Sequence, residues 1–432
     1  MPAVRILVLC LLTLMVVLTA GGCWGSRETD EVAYILSIGI DRGEQDRYLV
    51  TISIANPQNI AGAGAGGASG GGSAGEGGLG STVIMSVESS AVIPSLNLFD
   101  TSVDRKLSLL HTKAYIISEE LAREGLHDLL LPLLRYRELR GTALVLVSRG
   151  SARDFIEKNK PLLELSPTKQ FELIRELSGD HGLYASTLLV HFYNELKALS
   201  VEGTSPLVAI REGGRGTAAP AAGDGGRHVL GDYKAGEVPV RGGNPAQIIG
   251  NAVFRGDRMV GVIGGEEARY LLMLQGKFRE GKLTVADPLA AEPEVVALLV
   301  KQARSPKIRT EIDPEGNVAI DVEIYLEPEI IGIMSGIDYE TKENKAVLEE
   351  AVSLEIQRGC QELIRRTQEE FRSDIIGFGE KVKHHFWTLS AWEEFRWLDH
   401  YPEAEVNVTV HSRIRRTGLQ LKTMPVRGGG QG

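Results

Sequence analysis

Hydrophobic and polar positions alternate with a period of two over residues 50–55, where Val50, Ile52 and Ile54 interleave with Thr51, Ser53 and Ala55. Residues 34–41 form a largely apolar run, and the polar stretch 42–46 between the two reads as a turn, so the pair predicts a β-hairpin. Extended structure resumes at residues 82–87, after a glycine-rich stretch. Residues 114–117 and 142–147 are further apolar strands, each followed by a helix-like segment. The first of these segments carries Leu121, Leu126, Leu129, Leu130, Leu133 and Leu134 as one apolar stripe, interrupted by Pro132. Alternating strands and helices of this kind indicate a layered mixed domain over residues 31–200.

The second half has a different rhythm. Residues 252–254 and 259–262 flank the tight turn Arg255-Gly256-Asp257-Arg258, a second hairpin. Ile308, Thr310 and Ile312 alternate up to the turn Asp313-Pro314-Glu315-Gly316-Asn317, and Ile320, Val322, Ile324 and Leu326 alternate after it. Asp321 and Glu323 fall on the opposite face, so this pair has one wet side. A helix of roughly 30 residues follows from about Thr341, with Val352, Ile356, Cys360, Leu363, Ile364 and Thr367 along one side. Glu362 stands four before Arg366 on the other side, the spacing of a helical ion pair. A last strand places Val406, Val408, Val410 and Ile414 against Asn407, Thr409, His411 and Arg413. The fold class is α+β and multi-domain: three mixed α/β domains with largely antiparallel sheets flanked by helices.

Two loose regions divide the chain. A glycine-rich insertion covers residues 58–81, and low-complexity sequence such as REGGRGTAAPAAGDGGRH marks residues 201–247 as a flexible linker. The expected division is therefore residues 31–200, a small middle domain at 248–300 and a C-terminal α+β domain at 301–424.

The beginning of the chain changes the setting. Arg5 is the only charged residue before an apolar run that ends in small residues, the pattern of a secretory signal peptide over 1–22. The run is too short and too rich in small residues at its end to read as a spanning helix. Ala20-Gly21-Gly22-Cys23 resembles a bacterial lipobox, in which the leader is cut before cysteine and the thiol takes diacylglycerol. The alternative is an ordinary cleaved signal with an incidental cysteine. Acylated Cys23, followed by a tether over 23–30, would hold the chain stably to a lipid membrane, since two acyl chains suffice where one does not. Only Cys360 then remains as a free thiol, so a disulfide framework is excluded.

Formal charge is −10, and −11 once Arg5 leaves with the leader. An acidic surface argues against a nucleic-acid partner. Motif matches for chemistry are weak. Gly62-Ala63-Gly64-Ala65-Gly66-Gly67 and Gly71-Gly72-Ser73-Ala74-Gly75 lie inside the glycine run, without the strand and helix that would position a phosphate or a nucleophile. His384 and His385 point about 100° apart on a helix, with no carboxylate or cysteine set converging on them. Cys360, on the apolar side of a helix, reads as a core thiol. The expectation is no catalytic residues, no cofactor and no metal.

Identity is carried by longer stretches. Trp24-Gly25-Ser26-Arg27-Glu28 follows Cys23 directly, and then comes DEVAYILSIGIDRGEQDRYLVTISIANP. With HTKAYIISEELAREGLHDLLLPLLRYRELR (111–140), SDIIGFGEKVKHHF (373–386) and VNVTVHSRIRRTG (406–418), this resembles the Ger(x)C family, the lipoprotein C subunits of spore germinant receptors. The resemblance implies a non-enzymatic lipoprotein on the outer face of the spore inner membrane. It would act there with integral-membrane A and B subunits to trigger germination. It brings no catalytic residues and no ligand pocket.

Three surfaces are candidates for partner or membrane contact. Gly377, Phe378 and Gly379 follow the long helix, where the glycines answer either to a turn or to a docking loop. Trp392 and Trp397 belong to an aromatic segment with Phe386, Trp387, Phe395 and Tyr401, readable as core or as an interface. Arg413, Arg415 and Arg416 make a basic spot, readable as a solvated edge strand or as a contact with anionic lipid or an acidic loop. A lipid-anchored solute-binding protein of a transporter is the alternative function; it would show two similar α/β lobes.

Overall fold

The computed structural model describes residues 31–56, 82–162, 167–211, 233–291 and 294–416, with Ala3, Arg5, Ile6, Leu11 and Thr13. Cys23, most of the leader and the glycine-rich insertion lie outside the described residues.

Strand β1 (Val32–Arg42) pairs antiparallel with β2 (Tyr48–Ala55), as its pattern predicts. The carboxylate of Glu88 closes the turn between them by accepting from the backbone N–H groups of Glu44, Gln45 and Asp46 at 3.1, 2.8 and 2.9 Å. That carboxylate comes from β3 (Thr82–Ser89), which pairs antiparallel with β2. Helix α1 (Val92–Phe99) follows, then β4 (Lys106–Ser108) and β5 (Ala114–Ser118), both parallel to β1.

The leucine stripe expected as one helix is two, α2 (Glu119–Glu124) and α3 (His127–Leu133). Gly125 separates them with φ = 126°, a backbone conformation that no helix admits. Next come β6 (Leu144–Ser148) and α4 (Ala152–Lys158). Asp41, at the end of β1, caps α4 by accepting from the N–H groups of Ala152 and Arg153 at 2.7 and 2.9 Å. The Gly-Ile-Asp run is thus a strand end that holds a helix start. Helices α5 (Pro167–His181) and α6 (Leu189–Glu195) complete this part.

The linker expected over 201–247 contains a strand, β7 (Thr204–Ile210). It is buried along almost its whole length and lies between β6 and β8 (Ala246–Arg255), parallel to the first and antiparallel to the second. A strand covered on both faces has no alternation to betray it. Pro206 is tolerated because the β7–β8 register breaks between Pro206 and Val208. The expected middle domain is likewise shared out. Hairpin β8–β9 (Arg258–Ile263) ends the first sheet, of nine strands among the described residues, while the strand after it enters the second.

Helix α7 (Gly265–Gln275) runs between the sheets, and its residues from Leu271 to Leu274 are all buried. Such all-round apolarity belongs to a helix with neighbours on every side. The second sheet has the order β10 (Glu280–Ala286), β11 (Val295–Ile312), β12 (Val318–Ile333) and β13 (Glu405–Ser412). Strands β10, β11 and β12 are antiparallel, but β13 is parallel to β12. A parallel pair needs a crossover. It is supplied by α8 (Lys342–Glu369), capped by Thr341 and burying every residue of the predicted stripe together with Leu348.

On the exposed side of α8, Glu362 pairs with Arg365 at 2.6 Å. Arg366 reaches instead to Glu267 of α7 and to Glu370, so the expected four-residue pair gives way to an interhelical one. Among the described residues no helix is long and apolar enough to cross a membrane.

The α8 stripe yields a direct test. Leu363 is fully buried, so Leu363→Ala should cost about 2–5 kcal/mol in urea unfolding. Leu354 on the same helix is 52 % exposed, and its replacement by Ala should stay within about 0.5 kcal/mol.

Candidate functional site

After α8 the chain turns through residues 370–378 and enters a short helix, α9 (Gly379–Val382), then α10 (Leu389–Phe395) and α11 (Trp397–His400). The turn is organised by Asp374, whose side chain is fully buried. One carboxylate oxygen accepts from the N–H groups of Gly377 and Phe378 at 2.8 and 3.2 Å. The other accepts from Gly379 N and from the Trp397 indole N–H, both at 2.9 Å. Burial pushes the Asp374 pKa up, against the opposing pull of the donors on Gly379 and Trp397. Charged hydrogen bonds contribute roughly 1.5–3 kcal/mol each, so the four offset much, though not all, of the cost of burying the charge.

The same turn joins the two sheets. The Glu202 N–H donates to the Asp374 carbonyl at 2.9 Å, and the Ser373 hydroxyl donates to the Phe254 carbonyl at 2.6 Å. Ser200 hydrogen-bonds Glu380. Gly377 has φ = 87°, in the left-handed region. A Cβ on Gly379 would collide with the Ser200 carbonyl and the Trp397 ring. The glycines therefore meet the needs of the turn and of close packing. Phe378, Trp392 and Trp397 are buried in the chain's own core, which removes them from any surface a partner could touch. Among the described residues, the tryptophan left outside is Trp387, fully exposed, with the exposed Leu389 nearby in sequence.

Arg413, Arg415 and Arg416 are exposed just beyond the end of β13, the edge of the second sheet. Arg415 pairs with Glu327 at 3.0 Å, and the Arg416 carbonyl accepts from Ile330 N at 3.3 Å. His385 bonds Thr310 at 2.8 Å. Among the described residues, no three His, Cys, Asp or Glu side chains gather as a metal site would need.

Beside the Asp374 turn lies a cleft of about 690 Å³, with Arg175, His191 and Glu195 on one wall and Lys277, Glu380 and Lys381 among the others. Burial pushes Glu195 up to about 7, with Lys277 acting the other way. Glu202, 5 % exposed, is also pushed up to about 7 by burial, although Gly256 N donates to it at 2.7 Å. Sequence reasoning missed both carboxylates and the role of Asp374. An acidic residue shortly before a Gly-x-Gly turn was the available signal.

Two family models match the chain in succession. The one described as spore germination protein N-terminal domain covers residues 25–210, and the one described as spore germination B3/GerAC like, C-terminal, covers residues 249–418. The chain belongs to this spore germination GerAC-like family, the Ger(x)C family, and so has a role in spore germination. The boundary between the models falls between β7 and β8, inside the first sheet rather than between the sheets.

Spore germination protein KC of Bacillus subtilis (strain 168) is 26 % identical, over 96 % of this chain and 97 % of its own. YfkR of the same organism is 25 % identical, over 96 % and 98 %. A solved structure of the GerBC protein aligns over 88 % of this chain and 96 % of its own, with a TM-score of 0.49 at 14 % identity.

Glu202 gives the junction a pH dependence of known sign. Below pH 4.5, its ordinary value, the group is protonated in both the folded and the unfolded chain. As pH rises to about 7 only the unfolded chain loses the proton freely, so folding is progressively disfavoured, and above 7 the penalty is complete. Glu202→Gln should therefore be more favourable at pH 8 than at pH 4, by up to about 3 kcal/mol, in unfolding followed at both pH values. An equal effect at the two pH values would show that Glu202 does not titrate in this way.

Proposed function

We propose that this chain is a non-enzymatic lipoprotein subunit of a spore germinant receptor. It is held by acylated Cys23 on the outer face of the spore inner membrane and acts with integral-membrane A and B subunits. The observation that carries this reading is the succession of the two family segments, spanning residues 25–210 and 249–418, directly behind a cysteine at the end of an apolar leader. A tether of this kind raises the effective concentration of the ectodomain near membrane partners, so that weak contacts suffice. The unlike halves, one sheet of nine strands and one of four among the described residues, favour this reading over a solute binder with two similar lobes.

Crosslinking of spore inner membranes carrying a tagged copy should capture polytopic receptor subunits, and Cys23→Ala should abolish the capture. Recovery of a transporter permease instead would overturn the assignment. The exposed Arg413, Arg415 and Arg416 are the remaining candidates for contact with anionic headgroups or an acidic partner loop. Replacing all three by Gln should slow germination without lowering the melting temperature, and an unchanged germination rate would remove them from the interface.

A further inference from the structure

The edges of the two sheets are not treated alike. On the second sheet, β10 carries Glu280 and Lys282, and β13 carries Glu405, Asn407 and His411. On the first, β9 is six residues long, opens on Arg258, and its pairing with β8 is broken between Val253 and Phe254. Charges, short length and bulges are the usual means by which an edge is kept from pairing with another strand.

Strand β3 is neither short nor bulged. It runs for eight residues, Thr-Val-Ile-Met-Ser-Val-Glu-Ser, without Lys, Arg, Pro or Gly, and pairs with β2 without a register break. Its one charge, Glu88, is turned back onto the β1–β2 turn. Among the described residues nothing pairs with its outer side. Val83 is 44 % exposed, and on the inner side of the strand a groove of about 430 Å³ crosses β2 and β1, lined by Val32, Ile54, Val83 and Met85 and closed by Asp104 and Arg105.

We propose that β3 is a pairing edge and that its occupant is β3 of a second copy of this chain, antiparallel. Such a pair has its two-fold axis perpendicular to the sheet. Each face is then continuous across the join, which requires one residue to stand opposite itself. With Met85 at the centre, Val83 of each copy faces Val87 of the other and Met85 faces Met85. An unbroken apolar stripe results on one face. Thr82 meets Glu88 and Ile84 meets Ser86 on the other face, so no like charges are opposed. With Ser86 at the centre, Ile84 would face Glu88 and Val83 would face Ser89, leaving only the Met85–Val87 pairs apolar on that face. Of the two registers that pair the most residues, the strand is therefore the more complementary to itself in the one centred on Met85, and cross-strand pairs of this kind are what stabilise sheets.

The test is sedimentation of the full chain in detergent over two decades of concentration. The wild type should form a dimer, and Met85→Lys, which places two like charges directly opposite each other, should weaken it by about tenfold or more. Register is read separately. Under mild oxidation Met85→Cys should crosslink two copies through a disulfide between their 82–89 segments, whereas Ser86→Cys, which would face Ile84, should crosslink far less. A wild-type chain that stays monomeric, a dimer indifferent to Met85→Lys, or preferential crosslinking at position 86 would each overturn the proposal.

Discussion

The Asp374 carboxylate is ionisable, fully enclosed, and supplied with all four of its donors by the chain itself: three successive backbone N–H groups and one indole. A charge placed there without donors would be ruinous, and four donors aimed at one point without a charge would be left partly unsatisfied. Each therefore demands the other. The result fixes the path of the chain after α8, seats Trp397 in the core, and brings the turn against Ser200, Glu202 and Phe254 of the first sheet. The relation between the two halves depends on this constraint.

Around it, α7 and α8 do the bulk of the joining. Helix α7 is buried on every side because one side meets β8 and the others meet α8 and β11. The Arg366–Glu267 pair ties α8 to α7 across that contact. What remains open is the cleft beside the Asp374 turn, whose charged walls come from both halves. This arrangement offers a shape determined by both sheets at once. A movement of one sheet against the other would have to alter the cleft and the Asp374 cage together.

Much of this was legible in the pattern of side chains. Hairpins β1–β2, β8–β9 and β11–β12 announce themselves by turn chemistry, and α8 by a stripe in which every expected residue is buried. Strand β7 was hidden because both faces are covered and glycine-rich sequence follows it. The direction of β13 was hidden because alternation is the same for parallel and antiparallel strands; only the crossover helix decides. The α2–α3 break turned on Gly125 alone. At the site, Gly377 and Gly379 were readable as a turn and a close approach. The partners of Asp374 were not, because they are drawn from positions between 200 and 397. Exposure of aromatics was the weakest inference, since Trp387 and Trp397 look alike in sequence and end on opposite sides of the surface.

The parallel β12–β13 pair also sets an order of events in time. Strand β12 ends at Ile333 and its neighbour begins at Glu405, so the second sheet cannot be closed until nearly the whole polypeptide has been delivered. Pairings between distant segments form slowly, because the intervening chain must first be brought to order. A nascent molecule emerging from its N-terminal end could assemble most of the first sheet while the second still showed the apolar face of β12 to its surroundings. Loss of even the last strand would leave that state permanent. Strand β13, which closes the second sheet, is thus where the molecule is most vulnerable to truncation.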